Sequence, residues 1–218
     1  MTPPVKPAPV ARNAASWAYA ETFVPASEHE VKARRASADL GLVPVSEGTA
    51  SALTFLAHTI HAHAAVEIGT GAGVSSLALL TGMTPDGVLT SIDLESEHQA
   101  AARRVLAEAG IAPRRARLIA GAALTVLPKL SDGAYDLVFV DGDPLEYVEY
   151  VEQAGRLLRP GGLLVLDHAF AGGGTADSTN EDDDTVIIRE ALTAVQESES
   201  FAPLLLPVGD GLLVARRS

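Results

Sequence analysis

The chain has 218 residues, 47% of them hydrophobic, and a formal net charge of −12. That length supports one domain with a sizeable core, and no apolar run approaches the roughly 18–20 residues that cross a bilayer. The lack of cysteine excludes disulfides, thiolate metal sites and cysteine nucleophiles. The acidic balance argues against a nucleic-acid partner, which needs clustered Lys and Arg. The short basic runs at 32–35, 103–104 and 114–117 read as solvated helix faces or turns, so a small-molecule substrate is the better default.

Residues 1–13 are rich in Pro and Ala and lack the apolar core of a secretory signal. They are expected to form a disordered leader on a cytoplasmic protein. Residues 14–24 and 27–40 have helical character, the second stretch opening on Ser27 as N-cap. A third helix is expected from about Ser46 through EGTASALTFLAHTIH. Strand and helix then alternate: strand 65–68, helix 74–82, strand 88–92, helix 96–109 closed by Gly110, strand 116–120 and helix 122–130. Strand 135–140, helix 144–158 and strand 162–166 continue the pattern. Apolar strands separated by amphipathic helices predict an α/β fold with a mostly parallel, doubly wound sheet covered on both faces. After a helix at about 184–197, the segment FAPLLLPVGDGLLVARR predicts two strands turning at Gly209–Gly211, an antiparallel hairpin added to that sheet. The polar, glycine-rich stretch 171–185 reads as a lid or as disorder. Its EDDD run (181–184) fits the negatively charged start of a helix. His58, His61 and His63 lack an acid among them and read as a solvated helix end.

The stretch AVEIGTGAGVSSLALL (65–80) is a strand, a glycine turn and a helix. No Gly-Lys-Ser/Thr follows, which removes the phosphate-binding lysine of an NTP site. A dinucleotide turn needs G-x-G-x-x-G, but the third glycine here, Gly73, comes one residue early. Glu67, two residues before Gly69, is expected to point into the crevice, where it would accept from a cationic amine and repel a pyrophosphate. Asp93 ends the next strand and is placed to take both hydroxyls of a ribose. That acid suits NAD and S-adenosylmethionine (SAM) alike, and Glu67 favours the amino-acid end of the latter.

VEIGTGAGVSS, LTSIDLE, YDLVFVDGDPLEY and LLRPGGLLVLDH occur in that order. Together they resemble the class I SAM-dependent methyltransferases, and more narrowly the catechol/caffeoyl-CoA type of small-molecule O-methyltransferase. The resemblance covers roughly residues 27–218. It implies a Rossmann-like methyltransferase domain over 14–218, with N-terminal helices over 14–62 and a cofactor-binding core over 64–218. It also implies a homodimer, with the N-terminal helices covering a small hydroxylated acceptor such as a phenol or catechol. Carried over by position, it puts Val43 on the methionine side and Glu67, Gly69 and Thr70 along the glycine turn. Ser75 would meet the carboxylate, Asp93 the ribose and the Ala122 amide the adenine, with Asp141 beside the methyl donor. The family's divalent metal, Mg or in this chain a borderline ion such as Mn, would be held by Asp141, Asp167 and His168.

Two positions depart from the family pattern. His168 stands where the pattern has Asn, and Pro144 where it has the lysine that takes a proton; Tyr147 is kept. An imidazole suits a borderline metal better than Mg²⁺, or else His168 is itself a general base and no metal binds. Asp141 and His168 are therefore the candidate catalytic pair. Two rival functions remain at this point: an NAD-dependent oxidoreductase using the same turn, and a non-catalytic SAM-binding module with a degenerate acceptor site.

Overall fold

The computed structural model describes residues 14–218, so the leader expected over 1–13 lies outside the described residues. Three helices come first: α1 (Ala14–Glu21), α2 (Glu28–Asp39) and α3 (Glu47–Thr59). Ser27 and Ser46 cap α2 and α3, accepting from the backbone N–H of Glu30 and Thr49 at 3.2 and 3.0 Å. The α/β core follows as β1 (Ala64–Ile68), α4 (Val74–Gly82), β2 (Val88–Asp93), α5 (Ser96–Glu108), β3 (Ala116–Ala120), α6 (Ala123–Val126) and β4 (Tyr135–Val140). It closes with α7 (Tyr147–Leu157), β5 (Leu158–Leu166), α8 (Asp183–Glu197), β6 (Phe201–Leu206) and β7 (Leu212–Arg217).

The seven strands form one sheet in the order β3-β2-β1-β4-β5-β7-β6. The first five pair in parallel, whereas β7 pairs antiparallel with both β5 and β6. Strand parity divides the core between the two faces. Leu137 and Phe139 of β4 and Val165 of β5 join Leu53, Leu79 and Leu80 on one side. Val138, Val140, Leu164 and Leu166 join Tyr147, Leu157 and Ile188 on the other. This two-faced burial is why β4 and β5 read as continuous apolar runs.

Local chemistry moves some element bounds from their expected places. The helix expected over 122–130 is a single α-turn followed by a 3-10 turn at Leu127–Lys129, where Pro128 can donate no N–H. The helix expected over 144–158 opens with a 3-10 turn at Pro144–Glu146, capped by the Asp143 carboxylate accepting from Leu145 N–H at 3.0 Å. The stretch 171–185 contains a 3-10 turn (Ala171–Ala176) and is pinned by Arg189, which donates to the carbonyls of Asp177 (2.9 Å) and Gly174 (3.3 Å). Asp183 and Asp184 occupy the first turn of α8, where negative charge suits the dipole. His58, His61 and His63 are exposed, as expected.

The N-terminal helices are tied to the core by one carboxylate. Glu21 accepts from Gly209 N–H at 2.6 Å and from Gly48 N–H at 3.1 Å, joining α1 to α3 and to the β6–β7 turn.

The ladder register continues past the strand ends. Ile68 pairs with Ile92 and Val140, and Val140 with Leu166. Gly69 N–H then donates to Ile92 O (2.8 Å), Asp141 N–H to Ile68 O (2.8 Å) and Asp167 N–H to Val140 O (3.0 Å). Gly69, with φ +93°, passes so close to β4 that a Cβ on it would sit 1.9 Å from the Asp141 carbonyl oxygen. Gly69→Ala combines a forbidden backbone region with a backbone clash, and it is expected to cost at least about 3 kcal/mol. Urea denaturation measures this, and a loss below about 1 kcal/mol would mean the two strands can part there.

Candidate active site

At the carboxyl ends of the parallel strands, where the strand order reverses between β1 and β4, lies a cavity of about 400 Å³. This is where open α/β sheets bind their ligands. Its wall includes Val43, Gly69, Thr70, Ser75, Asp93, Ala122 and Asp141, seven of the eight residues expected to meet the cofactor. Val43 is 89% exposed, on the lip of the cavity.

The eighth, Glu67, is corrected by strand parity. Ala65 and Glu67 share the face of β1 that α4 covers, while Val66 and Ile68 face the other way. Glu67 is therefore wholly buried beneath the glycine turn, not directed into the crevice. One carboxylate oxygen accepts from the hydroxyls of Ser76 and Ser91 (Ser91 at 2.5 Å). The Ser91 hydroxyl also meets Thr70 Oγ1 at 2.5 Å. The other carboxylate oxygen has no partner.

Asp93 holds the turn as well as facing the cavity. Its Oδ2 accepts from the N–H groups of Thr70 (3.1 Å) and Gly71 (2.9 Å). Its Oδ1 accepts from Glu95 N–H (2.9 Å) and stands 3.0 Å from His98 Nδ1. A carboxylate offers about four acceptor positions, and all are engaged. His98 supplies the one donor of the four that sits on a rotatable side chain. It lines the cavity too, and nothing in the sequence marked it beyond its closeness to Asp93.

Beside the cavity, Asp141, Asp167 and His168 bring their ligand atoms within 4.8 Å of one another. His168 Nε2 is 3.4 Å from Asp141 Oδ1. Burial raises the Asp141 carboxyl, opposed by His168 and reinforced by Asp93. Burial and the neighbouring Asp141 push Asp167 up to about 7, and one of its buried oxygens has no hydrogen-bond partner. His168 is pushed up to about 9, chiefly by its contact with Asp141 and against its partial burial. Burial thus disfavours the charge on the two acids, while the facing carboxylates favour the charge on the imidazole.

The remaining family matches do other work. The Tyr147 ring is buried and its hydroxyl lies 3.4 Å from the Asp167 carbonyl, away from the cavity. Tyr150, which sequence reasoning did not single out, lines the cavity and donates its hydroxyl to Glu146. Pro144 stands at the start of its 3-10 turn, between the cavity-lining Asp143 and Glu146.

The model of the O-methyltransferase family matches residues 21–218. A relative from Mycobacterium tuberculosis (strain ATCC 25618 / H37Rv), named "Probable O-methyltransferase", is 44% identical over 214 residues, covering 98% of this chain and 95% of its own. Among solved structures, a Corynebacterium glutamicum protein matches with a TM-score of 0.87 at 35% identity, over 94% of this chain and 98% of the other. The O-methyltransferase TomG of Streptomyces achromogenes, involved in tomaymycin synthesis and solved with SAM, matches with a TM-score of 0.85 at 29% identity, over 94% and 96% of the two chains. The chain therefore belongs to the O-methyltransferase family. It is a transferase that uses SAM, which sets aside the oxidoreductase.

Glu67 gives a pH test of the floor beneath the turn. Burial pushes its carboxyl up to about 7, against the opposing serine hydrogen bonds. Between about pH 4.5 and 7 the native chain keeps this proton while the unfolded chain has lost it, so stability falls as pH rises and levels off above about 7. Glu67→Gln is expected to flatten this dependence, gaining up to about 3 kcal/mol on the wild type at about pH 8 and little near pH 4.5. Urea denaturation at the two pH values measures it; parallel curves for both proteins would show that Glu67 is ionised throughout.

Proposed function

We propose that the chain methylates a hydroxyl of a small phenol or catechol, with a divalent cation held by Asp141, Asp167 and His168. The observation that carries this reading is the position of Asp141, which belongs both to the cavity wall and to the three-ligand cluster. The donor set suits a cation. Two crowded carboxylates, one with an orphaned buried oxygen, meet an imidazole that fits Mn²⁺ at least as well as Mg²⁺. His168 is less suited to act as a free general base, because an imidazole pushed up to about 9 already carries its proton at neutral pH.

A cation bound there would supply acidification of a coordinated hydroxyl. The protein's own groups do the rest. The Gly69–Thr70 turn and Ser75 line the methionine side, and Ala122 borders the adenine end. The carboxylate of Asp93 takes a ribose hydroxyl in the place that His98 gives up. Val43 on the lip borders the methionine side as well, and Tyr150 in the wall flanks the acceptor. In-line displacement at the sulfonium requires the acceptor oxygen about 3 Å from the methyl carbon. Pro144 cannot take the departing proton, which leaves that role to a cavity-lining carboxylate beside it in the chain, Asp143 or Glu146. The protein is read as cytoplasmic; no helix among the described residues is long and apolar enough to cross a membrane. It is also read as a homodimer through its N-terminal helices, supported by the exposed Tyr19, Phe23, Val24 and Phe55.

Titration calorimetry with S-adenosylhomocysteine tests the donor half. Asp93→Ala is expected to weaken binding about 10-fold or more, the worth of one hydrogen bond to a carboxylate at about 1.5–3 kcal/mol. For the acceptor half, turnover on a catechol is expected to need Mn²⁺ or Mg²⁺ and to stop with EDTA. Mn²⁺ binding at neutral pH is expected to release protons, read from buffers of different ionisation enthalpy. Full turnover in EDTA would remove the cation from the reading. Sedimentation at micromolar concentration is expected to give twice the 22.6 kDa of one chain; a monomer would refute the dimer.

A further inference from the structure

We propose that Asp210, in the turn between β6 and β7, is a positioning residue for the active site. Its carboxylate holds the His168 ring so that Nε2 is presented to Asp141 and to a cation in that cluster. The inference rests on the cation-dependent reading above.

His168 follows directly on β5 and takes a left-handed backbone, φ +56°. That turn swings its ring between two carboxylates. Nε2 faces Asp141 Oδ1 and Nδ1 faces Asp210 Oδ2, each at 3.4 Å. The two nitrogens lie on opposite sides of the imidazole, so a grip on one sets the direction of the other. A histidine that ligates a metal usually donates its second N–H to a carboxylate or carbonyl, which fixes both ring angle and tautomer. Asp210 is the carboxylate in that place.

The grip is built from a rigid turn. Phe170 N–H donates to Asp210 O at 2.8 Å, and Ala169 N–H to Gly211 O at 3.0 Å. Gly172 N–H is shared by both Asp210 carboxylate oxygens, at 3.1 and 2.9 Å. Gly211, at φ +84°, packs so tightly that a Cβ would lie 2.6 Å from the Phe170 ring. On the far side, Gly209 is held by Glu21. The Asp210 side chain thus projects from a fixed base, 42 residues away in sequence from the ring it faces.

A clamp on Gly172 alone is the competing role for Asp210, and Asp210→Asn separates the two. The carboxamide keeps an oxygen for Gly172 N–H but loses the charge and one acceptor. The measurement is Mn²⁺ affinity by titration calorimetry on the full chain, with S-adenosylhomocysteine affinity and thermal midpoint as controls. Asp210→Asn is expected to weaken Mn²⁺ binding at least about 10-fold while leaving cofactor affinity within about twofold. In a His168→Ala background the same substitution is expected to have no further effect on Mn²⁺, since its partner is gone. Unchanged Mn²⁺ affinity in Asp210→Asn, or an equal loss in both backgrounds, would overturn the inference. A wild-type chain that binds Mn²⁺ nowhere would overturn the cation reading itself, and this inference with it.

Discussion

Everything in the active site depends on the register of a parallel ladder. Because Ile68, Ile92, Val140 and Leu166 lie abreast, the residues that follow them, Gly69, Asp93, Asp141 and Asp167, emerge as one row on the edge of the sheet. A one-residue slip of any strand would turn its acid to the opposite face. The continuous apolar runs before each acid fix the register, since they bury both faces at once. The first member of the row must be glycine, because its neighbour's carbonyl occupies the space a side chain would need.

Such a row concentrates negative charge where water is scarce. The fold meets that cost with a different device at each acid. Asp93 is surrounded by N–H donors from the glycine turn and the start of α5. Asp141 leans on His168, and Asp167, buried with an unpartnered oxygen, retains a proton into the neutral range. A ligand with a sulfonium, or a divalent ion, adds positive charge to an edge whose acids outnumber its cations. Glu67 lies one layer below, joined through Ser91 and Thr70 to the turn above it.

Most of the scaffold was legible in the sequence because strand runs, glycine turns and helix caps are local signals. The glycine turn at Gly69 and the acid at Asp93 can be read from their own neighbours at strand ends, whereas Asp141 and Asp167 came from the resemblance of the ordered motifs. The misplaced residue, Glu67, shows the limit of that approach. Its closeness to the turn suggested the crevice, but parity puts it under α4, and its partners Ser76 and Ser91 come from two other elements. Asp210 and His98 were invisible for a related reason. Neither belongs to a local pattern, and their importance appears only when distant segments are brought together. Helix bounds at 122–130 and 144–158 shifted because Pro128 and Pro144 favour tight 3-10 turns over a continuous α-helix.

The left-handed backbone at position 168 limits which residues can stand there. Few residues other than glycine accept such a φ, and asparagine and histidine are among those that do so most readily. Exchanging one for the other leaves the path out of β5 undisturbed and needs a single base change in the codon. A glutamine or threonine would have to bend the main chain first. His168 thus stands at a fixed backbone address that accepts only a short list of side chains, and the chain's path out of β5 is the same whichever of the two residues occupies it.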